Sequence, residues 1–373
     1  MLGSVKRYLE YCKRCGFCIV KCPVSQVFDG LETFSPRGRV LLLYGMSMGE
    51  LKATISIAEK LFSCTLCGYC TIKCPAGLEL EELFSSGRRT LNNIGLVPGK
   101  IAEISRRILE SGNPYNAPLE EREFWTNYIE EAPRRRGSVA LWLGCTTAYR
   151  RMDTCAAAYS LLKTLGVDVA IVEDERCCGA PLYYAGYLKE FKDFLKQAIM
   201  RVMNTGADTI VTPCPSCMRA FKEYSAKVGL NHGLKVYHLV EYLGKLYLVK
   251  PIPRFELEAR VTYHDPCELG RHLGIYDEPR KLIESVRGVK FIEMSASRKL
   301  ANCCGGGGLY LAMNPDNSIK IAVRRLEDVP PNVEVLATAC PSCEVMLSIA
   351  VERLEADIEV LDIADLLWRA LSK

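Results

Sequence analysis

Five cysteines recur twice in the same order along this chain. The first set is Cys145, the adjacent pair Cys177-Cys178 with Gly179, and Cys214-Pro215-Ser216-Cys217. The second is Cys267, Cys303-Cys304 with Gly305, and Cys340-Pro341-Ser342-Cys343. Spacers between these groups are 31 and 35 residues in the first copy and 35 and 35 in the second. A fixed internal repeat sets the architecture, and here it implies two homologous metal-cluster modules in tandem. Five thiolates per module exceed the four that a zinc ion or a cubane takes. Side chains on adjacent cysteines diverge, which suits a larger or lopsided cluster. The spacing therefore indicates a thiolate-rich iron–sulfur site in each module and leaves the cluster's shape open. Gly179 and Gly305 let the backbone pass close to metal with a positive φ. Proline after Cys214 and Cys340 sets both cysteines just ahead of helices, whose N-termini stabilise anionic sulfur.

A second constellation precedes the first. Cys12, Cys15, Cys18 and Cys22-Pro23 follow the C-x2-C-x2-C-x3-C-P run, and Cys64, Cys67, Cys70 and Cys74-Pro75 repeat it. This is the ferredoxin run for two 4Fe–4S cubanes. In such runs three close cysteines wrap one corner of a cubane and the fourth reaches across to the other. By that rule Cys12, Cys15, Cys18 and Cys74 hold one cubane, and Cys64, Cys67, Cys70 and Cys22 the other. Zinc also uses C-x2-C pairs, but four cysteines ending in Cys-Pro, given twice, favour the cubane. About forty residues separate the runs. Gly49–Phe62 within them reads as an amphipathic helix leading into Cys64, which favours an all-helical domain over the small β-sheet ferredoxin. Ser35-Pro36-Arg37-Gly38-Arg39 reads as a basic turn before a helix.

The elements that must position these cysteines follow from the pattern between them. Helices are expected near Leu80–Leu91 and Gly99–Glu110, with a break at Ser111-Gly112-Asn113-Pro114. Residues 115–137 end in Pro133-Arg134-Arg135-Arg136-Gly137 and read as a linker with a solvated basic face. Val139–Leu143, Val167–Val172 and Thr209–Val211 then read as strands, alternating with helices Tyr149–Leu165 and Lys189–Met203. The second module repeats the plan with strands Arg260–Tyr263, Val289–Ile292 and Val333–Leu336, a strand near Ile358–Leu361 and a closing helix. Such alternation argues for parallel sheets, with each cysteine group at carboxyl ends of strands, the edge where open α/β sheets build their sites.

Composition narrows the setting. The chain has 373 residues, 49% of them apolar and 25% charged, ordinary for a globular protein of two or three domains. A net charge of +4 without basic runs interleaved with aromatics argues against nucleic acid as a partner. Nineteen cysteines is a high count. A secreted disulfide framework is disfavoured by the C-x2-C spacings and by Met1–Lys6, which has no apolar core of signal-peptide length. No apolar run approaches the ~18–20 residues of a membrane span; Val40–Leu43 and Tyr247–Val249 are short. These features point to a reducing, cytoplasmic setting, with docking on the inner face of a membrane through a partner left open.

The order Cys, Cys-Cys-Gly, Cys-x2-Cys, given twice behind a dicluster ferredoxin segment, resembles the cysteine-rich CCG family. Its best-known members are the catalytic subunits of heterodisulfide reductases, especially the fused, membrane-complex type, and the resemblance covers nearly the whole chain. It implies up to two noncubane 4Fe–4S clusters that cleave, or form, a disulfide of small thiols. On that resemblance Cys145, Cys177, Cys178, Cys214 and Cys217 hold one such cluster and serve as catalytic cysteines. Cys267, Cys303, Cys304, Cys340 and Cys343 hold the other. The expected architecture is α+β and multidomain: an all-helical dicluster domain over 1–114, the linker 115–137, and two tandem α/β CCG modules with parallel sheets over 138–250 and 251–373. Electrons would enter from a redox partner subunit, a membrane cytochrome b-like protein or a flavoprotein. A rival reading comes from similar chains that accompany flavin-dependent glycolate, lactate or glycerol-3-phosphate dehydrogenases as electron relays.

Few chemical groups are left over. Cys155 is expected as a buried core thiol. His264, three residues before Cys267, reads either as a hydrogen-bond donor or proton source beside the cluster or as a structural histidine at a strand end. His232, His238 and His272 carry no functional signal. Gly305–Gly308 lacks the GK[ST] ending of a phosphate loop and is better explained by space for cluster and substrate. With no dinucleotide fingerprint, any nicotinamide or flavin belongs to a partner.

Overall fold

The computed structural model describes residues 11–247 and 256–371. Met1–Lys6 and Leu248–Val249, weighed above as targeting or membrane segments, lie outside the described residues. Between residues 11 and 138 the described structure is helical, without a strand, as expected. Ser35-Pro36-Arg37-Gly38-Arg39 is the first turn of helix Pro36–Ser47 rather than a turn ahead of it. Ser35 Oγ accepts the Gly38 amide at 2.9 Å, and proline sits at the first helical position, where no amide partner is needed. The expected helix Gly49–Phe62 is shorter. It runs Ile55–Phe62, because Thr54 Oγ1 caps it by accepting from Ile57, while Gly49 at φ +76 closes the helix before. Helices Leu80–Asn93 and Gly99–Ser111 complete this part.

Two four-stranded parallel sheets follow. The first holds β1 (Val139–Leu141), β2 (Val169–Ile171), β3 (Thr209–Thr212) and β4 (Lys235–His238) in the order β2-β1-β3-β4. The second holds β5 (Glu256–His264), β6 (Arg287–Phe291), β7 (Val335–Thr338) and β8 (Glu359–Asp362) in the matching order β6-β5-β7-β8. Val139 pairs with both Val169 and Thr209, and Val261 with both Phe291 and Val335. In each sheet the strand order reverses beside the central pair, the position at whose carboxyl edge open α/β sheets form a crevice.

β4 is absent from the sequence reading. It has four residues and begins on exposed Lys235, so it carries little apolar run. The expected helix Tyr149–Leu165 is two helices, Cys145–Arg150 and Met152–Thr164, broken where Arg151 leaves helical geometry at φ −141. Cys145 is therefore the first residue of a helix. Residues 120–128, inside the stretch read as a linker, form a 3-10 helix whose Trp125 is fully buried beside Tyr159, with ring centroids 5.8 Å apart. One apolar core runs through all three parts, from Leu61 and Phe84 to Leu141, Leu182 and Tyr263.

Candidate metal centres

All nineteen cysteines lie among the described residues, and none is in a disulfide. The structure gathers eighteen of them into four groups. Cys12, Cys15, Cys18 and Cys74 surround one small cavity, with Arg37 beside it. Cys22, Cys64, Cys67 and Cys70 surround a second, backed by Arg39 and Phe84. Arg39 is buried and donates to the carbonyls of Lys60 (2.8 Å) and Ser63, which holds the approach to Cys64. The ten module cysteines form the other two groups. Cys155 stands apart, fully buried in helix Met152–Thr164.

In the first module Gly179 adopts φ +82 and Gly305 matches it in the second at φ +88. A Cβ on Gly305 would lie 2.5 Å from the Ser318 carbonyl oxygen, so only glycine fits. Each turn aims an amide at sulfur: Gly179 N–H at Cys177 Sγ (3.4 Å) and Gly305 N–H at Cys303 Sγ (3.3 Å). Cys214 and Cys340 are the residues before helices Pro215–Arg219 and Pro341–Arg353, as their prolines predict. The second thiol of each adjacent pair is the acidic one. Hydrogen bonds from Cys177 and Cys217 pull Cys178 down to about 6, and those from Cys303 and Cys343 pull Cys304 well below the ordinary thiol value. Cys304 and Cys343 Sγ are 3.2 Å apart.

Sequence reasoning missed the frame around Cys145. Glu175, two residues before the Cys-Cys pair, accepts the amides of Leu143 (3.0 Å) and Gly144 (2.8 Å) and pairs with Arg122. Arg122 also reaches Cys145 Sγ at 3.5 Å, and both members of the ion pair are buried. Arg122 lies in the 3-10 helix at 120–128. Trp125 in a supposed linker was the one available hint.

The glycine run has two roles. Gly306, Gly307 and Gly308 line a cavity of about 370 Å³ that also touches all five first-module cysteines, Ser342 of the second module and Tyr115. They also press on the second cubane group, because a Cβ on Gly307 would be 2.9 Å from Thr65 O and one on Gly308 2.7 Å from Cys64 O. Arg88 ties the same place together. Fully buried, it donates to the carbonyls of Cys64 (2.7 Å), Gly308 (2.9 Å) and Leu61 (3.1 Å), and burial lowers its pKa to about 10.

The four groups form a series. Cys70 feels the charge of Cys18 across the two cubane groups. Cys67 is pulled down to about 5, first by a hydrogen bond from Cys303, and then, against burial, by Arg271. Arg271 bridges the two parts, donating to Cys67 O at 2.6 Å and Ala301 O at 2.7 Å. Cys340 in turn feels Cys214 of the first module. The second-module group thus neighbours both the second cubane group and the first module.

The remaining histidines separate by role. His232 bonds to Phe221 O, His238 Nδ1 accepts the Val240 amide, and His272 bonds to Leu66 O, all structural contacts. His264 ends β5 with a ring nitrogen in one group with Cys304 and Cys343 Sγ, all within 4.8 Å of one another. Burial lowers its pKa. Thiols gathered in sets of four and five, none in a disulfide and most of the module cysteines buried, with amide and guanidinium donors beside them, have the chemistry that iron–sulfur groups require.

Twin parallel sheets that collect thiols at their carboxyl edges, behind a helical domain with two four-cysteine groups, define an iron–sulfur electron-transfer oxidoreductase. Residues 139–222 and 261–348 match the family described as cysteine-rich domain (CCG), and residues 8–78 match the 4Fe-4S dicluster domain. One subunit of the dihydromethanophenazine:CoB–CoM heterodisulfide reductase from Methanosarcina acetivorans is 31% identical over 97% of this chain and 94% of that protein. One subunit of the fumarate reductase (CoM/CoB) from Methanothermobacter marburgensis is 28% identical over 98% of this chain and 73% of that protein. The EtfAB:quinone oxidoreductase from Syntrophomonas wolfei is 26% identical over 97% of this chain and 58% of that longer protein. The chain belongs to the CCG-domain iron–sulfur family that includes the Methanosarcina heterodisulfide reductase protein. Its cofactors are accordingly two 4Fe–4S cubanes in the dicluster domain and noncubane clusters in the CCG domains. Relatives named as subunits support a partner subunit for this chain. Among the described residues no helix is long and apolar enough to cross a membrane.

Proposed function

We propose that this chain is the disulfide-reducing subunit of a heterodisulfide reductase-like complex. The cubane ligands are Cys12, Cys15, Cys18 and Cys74, and Cys22, Cys64, Cys67 and Cys70. The noncubane ligands are the five cysteines of each module. When bound, the clusters supply single electrons at the first two sets and a pair of electrons for disulfide cleavage at the modules. A disulfide taking up two electrons and two protons leaves as two thiols.

The cavity carries this reading. A pure relay needs only the space its clusters fill, whereas this cavity of about 370 Å³ runs past the five thiols to Ile104, Pro114, Tyr115 and Leu311, which supports room for a small substrate beyond the sulfur face. The chain's own residues shape that space. Arg122 and Glu175 fix the loop that presents Cys145. Tyr115 is held at the wall by a 2.9 Å hydrogen bond with Thr146. Glu268 is held there by Tyr184 (3.2 Å) and Arg219 (3.0 Å), so its carboxylate does not swing onto the sulfur face. The partner is a membrane cytochrome b-like subunit, which would hold a cytoplasmic chain on the inner face of the membrane, or a flavoprotein. The name of the Syntrophomonas relative keeps the electron-relay reading as the rival.

Electron paramagnetic resonance of anaerobically purified, oxidised protein decides between them. A new paramagnetic signal that appears only with small thiols is the expected result. No new signal in the oxidised protein at any thiol concentration, with only ordinary cubane signals after reduction, sinks the reductase reading in favour of the relay.

A further inference from the structure

The two modules differ at one matched position. Three residues before the first cysteine, the first module has Trp142 and the second has His264. Both rings are buried, and Nε1 of Trp142 and Nε2 of His264 find no hydrogen-bond partner among the described residues. For His264 the surroundings say what is missing. Arg325 Nε donates to His264 Nδ1 at 2.9 Å. A guanidinium can only donate, so Nδ1 carries the lone pair and the ring proton sits on Nε2. Arg325 cannot turn away: it is fully buried and also donates to Asp328 Oδ2 (2.7 Å), Ala296 O (2.9 Å) and Met294 Sδ (2.8 Å). A ring nitrogen of His264 lies within 4.8 Å of Cys304 and Cys343 Sγ, and with Nδ1 held by Arg325 the protonated Nε2 is the nitrogen left to meet sulfur. A nitrogen that already bears a proton is not a metal ligand. A buried N–H without an acceptor is costly, whereas one facing thiolate sulfur is satisfied.

We propose that His264, locked by Arg325 with its proton on Nε2, donates a hydrogen bond to the Cys304 side of the second-module cluster and raises that cluster's reduction potential. It is a positioning and tuning residue, not a ligand. A donor to sulfur stabilises the more negative, reduced state, so its removal makes reduction harder. Among the described residues the first module has no such locked imidazole at its sulfur; there a guanidinium, Arg122, donates to Cys145. The two module clusters are thereby set to different potentials although their cysteine spacings are nearly the same. The inference rests on a cluster occupying the second module, which iron and sulfide content per chain measures separately.

The test uses the holoprotein with 15N-histidine. Pulsed resonance on the wild type is expected to show one weak 15N coupling to the second-module cluster, that of a nitrogen hydrogen-bonded to sulfur. A strong coupling would make His264 a ligand, and no coupling would remove the contact; either overturns the proposal. The His264→Leu variant is expected to lose the coupling and shift one midpoint potential downward at unchanged iron content. His264→Gln, which retains an N–H, should stay near the wild type. An unchanged potential in His264→Leu at full iron content overturns the tuning role. If His264→Leu fails to fold, Arg325→Gln frees the tautomer and should weaken the same 15N coupling, and an unweakened coupling refutes the lock.

Discussion

Replacing Glu175 by glutamine should loosen the loop that carries Cys145 by a calculable amount. The carboxylate, 6% exposed, accepts Leu143 N–H at 3.0 Å on one oxygen and Gly144 N–H at 2.8 Å on the other. Hydrogen bonds to charged groups contribute about 1.5–3 kcal/mol each, and neutral acceptors about half that. Glutamine keeps one acceptor oxygen, so one bond is halved and the other lost, a total of about 2–4 kcal/mol. Arg122 is left without its counter-charge, which makes this a lower bound. At about 1.4 kcal/mol per factor of ten, the Leu143 and Gly144 amides should exchange with solvent about 30- to several-hundred-fold faster. Leu336 and Ala337 in β7 serve as the unaffected reference. Native-state hydrogen exchange on anaerobic protein reads the effect. Acceleration under about threefold at both amides would show that the carboxylate does not hold the loop.

Other perturbations follow from the same geometry. Gly305→Ala forces a Cβ within 2.5 Å of Ser318 O at φ +88 and should empty the second module selectively, seen as iron loss with first-module spectra retained. Arg88→Met leaves the carbonyls of Leu61, Cys64 and Gly308 without their donor and should cost about 3 kcal/mol or more, read as a lower unfolding temperature by calorimetry. His238 is buried and its pKa falls to about 4, so the unfolded chain binds the extra proton between that value and about 6.5. Stability should be intact above about 6.5 and fall by about 1.4 kcal/mol for each pH unit below it, down to about 4. His238→Asn should flatten that slope in the pH dependence of unfolding, and an unchanged slope would disprove the assignment.

Much of the molecule was legible because its chemistry is local in sequence. Cys-Pro pairs mark helix starts, glycine after Cys-Cys marks a positive φ, and short apolar runs before Cys145 and Cys214 mark parallel strands. What escaped depends on distance. Nothing near Arg122 announces that it will meet Glu175 and Cys145, and nothing near Arg88 announces Gly308, 220 residues away. Thr54 shows the intermediate case. As a cap it is visible in sequence, but the apolar periodicity of the preceding residues masked it and lengthened the expected helix. β4 escaped for the opposite reason: four residues flanked by polar ones hold too little apolar surface to register before the sheet exists.

The contact of Gly307 and Gly308 with the Cys64–Thr65 backbone also governs how this protein is made. Every residue that lines the second cubane group has been made by residue 84, yet the Cys64–Thr65 backbone behind it gains its glycine packing only when residue 308 arrives. At ordinary synthesis rates of about 5–20 residues per second, that interval is on the order of tens of seconds. Through it Arg88 has no Gly308 carbonyl to bond, and the Cys64–Thr65 backbone lacks its outer packing. Chains truncated before Gly308 are therefore expected to hold that group less firmly, read as faster loss of its iron to a chelator.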